Sequence, residues 1–478
     1  MAFAPGPYHM AKKIIIFGLI FALTLALYFP VFKVYFTGDD FFHFKIAGNL
    51  FGLHPVSQGG YAFYRPIFRE LLYSISYKLW GLNVLPLRIF AFVLHFANVV
   101  LVFILTKRMF KNLPAQAGEK IAYLTAFFFS VSAANASVIY YLAGGLQAQG
   151  AAFFVFLSLL LFPKHKLFAF LTFVLSLMSH EIAVITPMLI AGVMFLNKDF
   201  KIKYLLPYLL VLGVYLYIDF GVIGFSRSEV QYMPSLNIKT LFNSLFWYGL
   251  WSFGLPETMV DLIGPGLKVN PDLMKNWGDT YRFVLPGFGL SIASLLILII
   301  GKIKSTGFKK EIAFLAFWFV VGISTVLLLP SHKSTYYLVL SLPAFWGIIS
   351  YFIFDKSKLN KILSVVFMVG FLIMTYFSVR NMNQTYWAAQ RGRLSQKIVN
   401  DFKSQYPTLP KGATVYMKND PSYPFISEGW GGTSKQASLI LSGSVALELL
   451  YKDPTLKVYY QDLDPIPEGE AYEFVVKL

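Results

Sequence analysis

The feature that most constrains this chain is the recurrence of apolar segments long enough to cross a lipid bilayer. About 30 Å of hydrocarbon requires roughly 20 apolar residues in a helix, and such segments follow one another along most of the 478 residues. Their approximate bounds are 13–32, 86–106, 120–140, 148–162, 167–179, 181–196, 203–222, 282–301, 311–329, 334–354 and 359–379. With 56% hydrophobic residues, the chain has more apolar surface than a soluble domain can bury. The sequence therefore predicts an α-helical polytopic membrane protein with about eleven transmembrane helices.

Positive charges are concentrated in every second connection between these segments. The basic connections contain Lys12 and Lys13; Lys107, Arg108 and Lys111; Lys164 and Lys166; Lys198, Lys201 and Lys203; Lys302, Lys304, Lys309 and Lys310; and Lys356, Lys358 and Lys361. Because Lys and Arg in short loops are retained in the cytoplasm, the N-terminus is predicted to be inside. Residues 33–85, 223–281 and 380–478 are then outside. The net charge of +17 is a topology signal on this interpretation, and it does not indicate nucleic-acid binding.

The segment 167–196 is apolar except for Ser179, His180 and Glu181 near its middle. At 1.5 Å per residue, a single helix of this length would extend about 45 Å, which is too long for one crossing. One crossing would also reverse the charge pattern of every later connection. We therefore predict two short helices that meet at this polar turn, below the outer membrane surface, where ionisable groups are costly and usually functional.

The C-terminal part of the chain is much more polar than the rest. Its patterns predict helices over 383–406 and 444–451 and strands over 413–418, 456–460 and 473–477. We therefore divide the chain into a transmembrane domain, 1–379, and a small extracytoplasmic α/β domain, 380–478. The sequence has 0 cysteines, which excludes disulfides, thiolate nucleophiles and Cys-ligated metals.

An acidic pair, Asp39 and Asp40, follows directly after the first apolar segment. Adjacent carboxylates repel each other, so one of them can hold a raised pKa and accept a proton from an acceptor nucleophile. His43 is one helical turn further on and is a candidate to assist. The structural alternative is an ordinary acidic helix start, with Gly38 and Asp39 capping a helix that begins at Asp40.

Five features in this order make the sequence resemble the GT-C superfamily of membrane glycosyltransferases, which use lipid-carried sugars and include protein O-mannosyltransferases and aminoarabinose transferases of lipid A. The features are the Asp39-Asp40 pair, an interfacial helix at 67–80 entered through Tyr64-Arg65-Pro66, the Ser179-His180-Glu181 turn, the segment Leu329-Pro330-Ser331-His332-Lys333 with Tyr336-Tyr337, and the soluble C-terminal domain. The resemblance covers most of the chain. Relatives usually have Lys at the position of His180, so this sequence departs from the family pattern there.

The resemblance implies a catalytic aspartate in the first outer loop. The first acid of the pair is the usual base in the family, which favours Asp39. Asp40, however, has a three-residue spacing to His43 that resembles the Asp-Glu-x-His pattern of O-mannosyltransferases. The sequence alone leaves this choice open.

An enzyme whose acids face outside has no access to cytosolic nucleotide sugars, and the sequence has no Walker-type loop or dinucleotide fingerprint. A polyprenyl-phosphate sugar is the expected donor, and its departing lipid phosphate needs cationic partners. Arg65 and Lys333 are the main candidates for this role. The other candidates for donor-phosphate or sugar binding are His43, Arg69, His180, Glu181, His332, Tyr336 and Tyr337.

Several of these residues have structural alternatives. Arg65 and Arg69 fit lipid-headgroup anchors, Lys333 fits a side chain snorkelling from a helix end, and the two tyrosines fit an interfacial aromatic belt. Glu257 and Asp261 are interpreted as solvated loop charges. We expect no cofactor and no metal, because Arg and Lys can neutralise a monophosphate and the seven histidines form no compact ligand pattern. A metal on the acid pair and His43 is the alternative.

The sequence thus predicts an inverting glycosyl transfer from a polyprenyl-phosphate donor to an acceptor outside the plasma membrane, most simply in a prokaryotic cell envelope. The expected partners are the donor, membrane lipids and an acceptor that is a protein, a glycan or a lipid. Two other classes fit less well. A transporter or flippase would use the same buried charges as a translocation path, and a membrane-anchored sensor would leave the acid pair without a task.

Overall fold

The computed structural model describes residues 7–47, 63–224, 232–264, 268–306, 309–354, 358–424, 426–427 and 429–478. Its helices in the first half of the chain are α1 (Pro7–Tyr28), α2 (Gly38–Ile46), α3 (Leu72–Trp80), α4 (Leu85–Met109), α5 (Ala115–Val131), α6 (Asn135–Tyr140), α7 (Leu142–Leu161), α8 (Lys166–Leu177), α9 (Thr186–Leu196) and α10 (Leu206–Tyr217). The second half contains α11 (Ile238–Phe253), α12 (Pro271–Thr306), α13 (Lys310–Leu327), α14 (Leu342–Ile353), α15 (Lys358–Thr385), α16 (Trp387–Gln405), α17 (Thr433–Leu441) and α18 (Val445–Tyr451). The strands are β1 (Ile263–Gly264), β2 (Lys268–Val269), β3 (Thr414–Asn419), β4 (Lys457–Tyr460) and β5 (Tyr472–Val476).

Seven helices in the described part of the chain are long and apolar enough to cross a membrane. They are Ala11–Lys33, Leu85–Met109, Leu142–Leu161, Leu206–Ile223, Pro271–Ile303, Lys310–Leu327 and Leu359–Thr385. Their outward faces expose large apolar side chains such as Leu210, Leu296 and Val365, which is typical of a lipid-facing surface. The prediction of an α-helical polytopic membrane protein is confirmed. The predicted segment 120–140 is divided between α5 and α6.

The predicted break within 167–196 is confirmed. Helix α8 ends at Leu177, His180 has an extended backbone, and a 3₁₀ turn over Glu181–Ile185 leads into α9. Both α8 and α9 are short apolar helices, so the polar turn between them lies inside the bundle, against α7. The turn's backbone can be irregular at this depth because protein surrounds it and lipid does not.

The C-terminal residues form a small α/β unit. Strands β4, β3 and β5 make a parallel sheet in that order, with Val415 opposite both Val458 and Tyr472. The three predicted strands agree with the observed ones to within one or two residues, and the predicted helices correspond to α16 and α18. Helix α17 is missing from the sequence prediction, because its nine residues begin with four polar ones, Thr433 to Gln436, and lack a long apolar repeat.

This unit packs directly on the segment that follows the first membrane helix. Apolar residues of α2, α16 and the sheet belong to one buried cluster. A Cβ at Gly38, the first residue of α2, would collide with the carbonyl oxygen of Leu439, and a Cβ at Gly392 would lie 2.7 Å from the carbonyl oxygen of Tyr35. Glycine at these two positions therefore allows the backbones to touch, which fixes α2 against the C-terminal unit.

Candidate active site

The first outer segment is anchored by Arg88 of α4. This buried guanidinium donates to four backbone carbonyls: Nε to Val34 at 3.0 Å, Nη1 to Ile139 and Tyr140, both at 2.9 Å, and Nη2 to Tyr35 at 3.3 Å. These bonds join the segment before α2 to the α6–α7 junction. The acid pair at the start of α2 is consequently held in a defined position at the N-terminal ends of α4 and α7.

Asp40 is a buried capping residue. Its Oδ2 accepts hydrogen bonds from the backbone N–H and the hydroxyl of Thr37 at 2.8 and 3.1 Å, and its Oδ1 accepts one from the Tyr73 hydroxyl at 2.5 Å. The side chain is fully buried. Burial raises the pKa of Asp40, although these hydrogen bonds act in the opposite direction. Asp40 therefore forms a capping box with the N-cap Thr37, and the helix begins at Gly38. The capping alternative, which placed the cap at Gly38 and Asp39 and the start of the helix at Asp40, is wrong in these positions.

Asp39 has a different environment. It is partly exposed, and its Oδ2 accepts a hydrogen bond from the Tyr141 hydroxyl at 2.7 Å. Tyr141 stands immediately before α7, and its ring packs on those of Trp387 and Tyr336, with centroids 4.8 and 6.0 Å away. No sequence pattern indicates Tyr141, which is 102 residues away from its partner Asp39. Asp39 is therefore oriented by one phenol and open on its other side.

Arg65 is held by α7 and by the turn between α8 and α9. Its Nε and Nη2 donate to the two carboxylate oxygens of Glu181 at 2.8 and 2.6 Å, and its Nη1 donates to Gln147 Oε1 at 2.7 Å. The side chains of Arg65 and Glu181 are 15% and 22% exposed. This geometry contradicts a lipid-headgroup anchor, because the guanidinium points into the protein. Gln147, on α7, is a further site residue that the sequence did not reveal.

His180 lies directly behind this ion pair. Its Nδ1 accepts from the backbone N–H of Ile182 at 3.3 Å and lies 3.2 Å from Glu181 Oε2. Because Nδ1 serves as an acceptor, we assign the ring proton to Nε2. The imidazole is then neutral, and its contact with the Glu181 carboxylate is not an ion pair. The imidazole is fully buried against the rings of Tyr336 and Tyr337, each at 6.2 Å. We call Arg65 with its partners Glu181 and Gln147 the guanidinium cluster. His180 packs between this cluster and the two tyrosines.

The segment after α13 brings its candidates to the same end of the bundle. The Tyr336 hydroxyl is 3.4 Å from His332 Nε2, and the rings of Tyr336 and Tyr337 lie 4.0 Å apart. Both tyrosines are buried in protein, which contradicts the aromatic-belt alternative. The Lys333 ammonium donates to the Pro330 carbonyl at 2.8 Å and forms no ion pair with a carboxylate of the described residues. Burial lowers the pKa of Lys333.

Glu257 fixes the segment that carries these residues. Its Oε2 accepts from the backbone N–H and the hydroxyl of Thr335 at 2.6 and 2.5 Å, and both its oxygens lie 3.1 Å from the Ser334 hydroxyl. The interpretation of Glu257 as a solvated loop charge is wrong, because its carboxylate accepts hydrogen bonds from Ser334 and Thr335. These partners are 77 and 78 residues away in sequence, so the sequence alone does not show them. The interpretation holds for Asp261, which is exposed. Glu257 is therefore a positioning residue for the Lys333 segment.

His43, on α2, and Arg69, just before α3, are both buried in the protein. Only 4% and 2% of their surfaces are exposed. The His43 ring meets the Tyr73 ring edge-on at 5.0 Å, and Arg69 forms a buried ion pair with Glu70 at 2.8 Å. Burial and then the charges of Arg69 and Arg65 lower the pKa of His43, which makes the imidazole neutral at pH 7. Burial also contradicts a headgroup-anchor role for Arg69.

A chain of contacts connects the acid pair with the guanidinium cluster. It runs from Asp39 through Tyr141 and Tyr336 to His180, and from there to Glu181 and Arg65. Asp219 supports this cluster by accepting the Tyr64 backbone N–H at 2.8 Å. Asp219 is absent from the sequence prediction, although a carboxylate within an apolar segment indicates a functional residue. Among the described residues, no group of three or more His, Asp and Glu side chains is arranged to hold a metal.

No family model and no curated protein matches this sequence. Among solved structures, the chain is similar to the oligosaccharyltransferase of Archaeoglobus fulgidus, determined with a tethered acceptor peptide containing the NVT sequon. The two share 11% sequence identity with a TM-score of 0.45, and the matched region covers 87% of this chain. The chain spans 62% of the length of that enzyme.

Proposed function

We propose that this protein is a glycosyltransferase that uses a polyprenyl-phosphate sugar as donor, with Asp39 as its general base. The observation that carries the proposal is the unequal environment of the acid pair. Asp40 is buried and accepts hydrogen bonds on both oxygens, from Thr37 at the start of α2 and from Tyr73, whereas Asp39 is partly exposed and is oriented by Tyr141 alone among the described residues. A base must reach the proton that it removes. Asp40 would first have to give up its hydrogen bonds, at a cost of about 1–3 kcal/mol for each buried partner left unsatisfied.

Arg65 and Lys333 are the proposed partners of the donor phosphate. Arg65 has five N–H donors, of which three bind Glu181 and Gln147, so one N–H on each terminal nitrogen is left for a ligand. Lys333 carries a half-buried ammonium without a carboxylate partner among the described residues. A developing phosphate charge would supply the partner that this ammonium lacks.

The proposed reaction is a direct displacement. Asp39 accepts the proton of an acceptor hydroxyl or amine as the acceptor atom bonds to the anomeric carbon of the sugar. The bond from that carbon to the phosphate oxygen breaks, and polyprenyl phosphate leaves with the electron pair. Attack from the face opposite the leaving group inverts the anomeric configuration. No metal takes part in this scheme, because the two cations match the charge of a phosphate monoester.

We assign the reaction to the extracytoplasmic side of the plasma membrane, on the basis of the charge pattern of the connections. The acceptor is the least defined component. Helix α16 of the C-terminal unit brings Trp387 against Tyr141, and Arg391 lies over the Trp387 ring at 5.3 Å. This unit therefore borders Asp39, and we propose that it contributes to the choice of acceptor.

The test is release of polyprenyl phosphate from a panel of polyprenyl-phosphate sugars by purified protein, with envelope extract supplied as acceptor. The proposal predicts turnover for at least one donor, and its loss in Asp39→Asn. Asp401→Asn, which alters an exposed acid of α16, is the control and should retain full turnover. Absence of turnover with every donor, or full activity of Asp39→Asn, would contradict the proposal.

A further inference from the structure

A cavity lies at the end of the helix bundle opposite to the candidate active site. It has a volume of about 600 Å³ and lies where α4, α7 and α9 end and α13 begins. Gln147 and Arg88 of the candidate site belong to the N-terminal parts of α7 and α4. Helix α7 alone has 20 residues, or about 30 Å of length. The cavity is therefore a separate feature, on the other side of the bilayer from the acid pair.

Its rim is strongly basic. Six cationic side chains line it, and they are Arg108, Lys111, Lys164, Lys166, Lys198 and Lys310. Two carboxylates, Asp199 and Glu311, are also present. Asp199 pairs at 2.8 Å with Lys201, which is not part of the lining, and Glu311 Oε1 is 3.5 Å from the Asn112 amide. Within the described part of the chain, none of the six cations forms an ion pair, so the cavity has a net positive charge.

Helix capping accounts for only some of these charges. Arg108 donates to the Leu160 carbonyl and Lys310 to the Leu196 carbonyl at 3.2 Å, which are favourable positions for cations at helix C-termini. Lys166 lies over the Tyr204 ring at 4.4 Å. Lys111, Lys164 and Lys198 have no such protein partner among the described residues. All three side chains are solvent-exposed and line the same cavity, so an anion bound there would reduce the repulsion between their like charges.

The lining of the cavity also has an apolar part. Phe314 and Trp318 of α13 belong to it. A shallow groove of about 370 Å³ adjoins the cavity along α9 and α13 and shares Leu196, Lys310 and Phe314 with it. The groove is lined by Ala191, Gly192, Phe195 and Phe317, and Phe195 and Phe317 are exposed on the lipid-facing surface. The basic cavity is thus continuous with an apolar groove on the lipid-facing surface.

We propose that this cavity binds an anionic phospholipid, with its phosphate among Lys111, Lys164 and Lys198 and one acyl chain in the groove between α9 and α13. Basic pockets between membrane helices are suited to anionic headgroups. The adjoining groove distinguishes a lipid from free phosphate, because a soluble ion would leave exposed apolar surface uncovered. The site is independent of the candidate active site and needs no turnover for its detection.

The experiment is a lipid titration of the delipidated, purified full chain, followed by native mass spectrometry. Phosphatidylglycerol and phosphatidylcholine with identical acyl chains are the probes. The triple variant Lys111→Gln, Lys164→Gln, Lys198→Gln is compared with a matched control, Lys12→Gln, Lys120→Gln, Lys361→Gln, which removes three exposed charges outside the cavity. We expect the cavity variant to weaken phosphatidylglycerol binding by about 100-fold, or about fivefold for each charge, while the control changes it little and phosphatidylcholine binds weakly throughout. Equal binding by both triple variants would overturn the proposal.

A second arm separates a lipid from a free phosphate. Ala191→Phe fills the groove and leaves the cations in place. It should weaken phosphatidylglycerol binding and leave the much weaker binding of glycerol 3-phosphate unchanged. If glycerol 3-phosphate binds wild type as tightly as the lipid does, or if Ala191→Phe has no effect on the lipid, the acyl-chain part of the proposal is wrong and the cavity is a phosphate site.

Discussion

Replacement of Glu181 by Gln measures how much the ion pair between Arg65 and Glu181 contributes to the free energy of unfolding. The substitution keeps the size of the side chain but removes the charge that binds Arg65 through two short hydrogen bonds, of 2.8 and 2.6 Å. Removing one partner of a buried ion pair costs about 3–5 kcal/mol. The side chains are 15% and 22% exposed, so water relieves part of this cost. We therefore expect Glu181→Gln to reduce the free energy of unfolding by about 2–4 kcal/mol.

The assay is equilibrium unfolding in detergent micelles, with Glu473→Gln as the matched control. Glu473 pairs with Lys418 at 3.0 Å, but these side chains are 59% and 39% exposed, so the control should lose less than about 1 kcal/mol. The double variant Arg65→Gln, Glu181→Gln should be more stable than the sum of its single variants predicts, because neither charge is then left unpaired. A loss in Glu181→Gln no larger than that in Glu473→Gln would refute the reasoning.

Three further predictions concern the acid pair and the Lys333 segment. Tyr141→Phe removes the hydrogen bond to Asp39, so we expect kcat to fall about tenfold with donor binding unchanged. If Tyr141 acts through Asp39, the same substitution should have little further effect on kcat in an Asp39→Asn background. An equal tenfold loss there would contradict this. Glu257→Gln releases the segment that carries Lys333, so the donor Kd should rise about tenfold in a binding titration, and an unchanged Kd would argue against this positioning role. Burial raises the folded-state pKa of Asp40 above its unfolded value, so the associated stabilisation is full below about pH 4 and is lost as the pH rises through the raised pKa. The stability of wild type relative to Asp40→Asn should accordingly decline as the pH rises from about 4 through the raised pKa, and a pH-independent difference in unfolding free energy would contradict this.

Features that depend on local sequence could be predicted well. Apolar length predicted the membrane helices, and the polar turn at Ser179, His180 and Glu181 predicted the break between α8 and α9. The alternation of apolar residues predicted strands β3, β4 and β5. These signals are periodic or compositional, so they need no knowledge of tertiary contacts.

The acid pair shows why the site could not be completed in the same way. Asp39 and Asp40 are neighbours with identical side chains, and their difference comes from partners far away in sequence. Tyr73 is 33 residues from Asp40, and Tyr141 is 102 residues from Asp39. Glu257 was misinterpreted for the same reason, because its role depends on Thr335. Only the packing of α2, α7 and the segment after α13 brings these groups together.

In the proposed mechanism, Asp39 removes the acceptor proton while Asp40 only holds α2 in place. The most direct test compares Asp39→Asn with Asp40→Asn in one preparation, measuring both donor Kd and the single-turnover rate of polyprenyl phosphate release. We expect Asp39→Asn to bind the donor as wild type does and to lose its turnover by a factor of about 100 or more. Asp40→Asn should keep measurable turnover in the fraction that remains folded. Loss of turnover in folded Asp40→Asn, with activity retained in Asp39→Asn, would reverse the assignment.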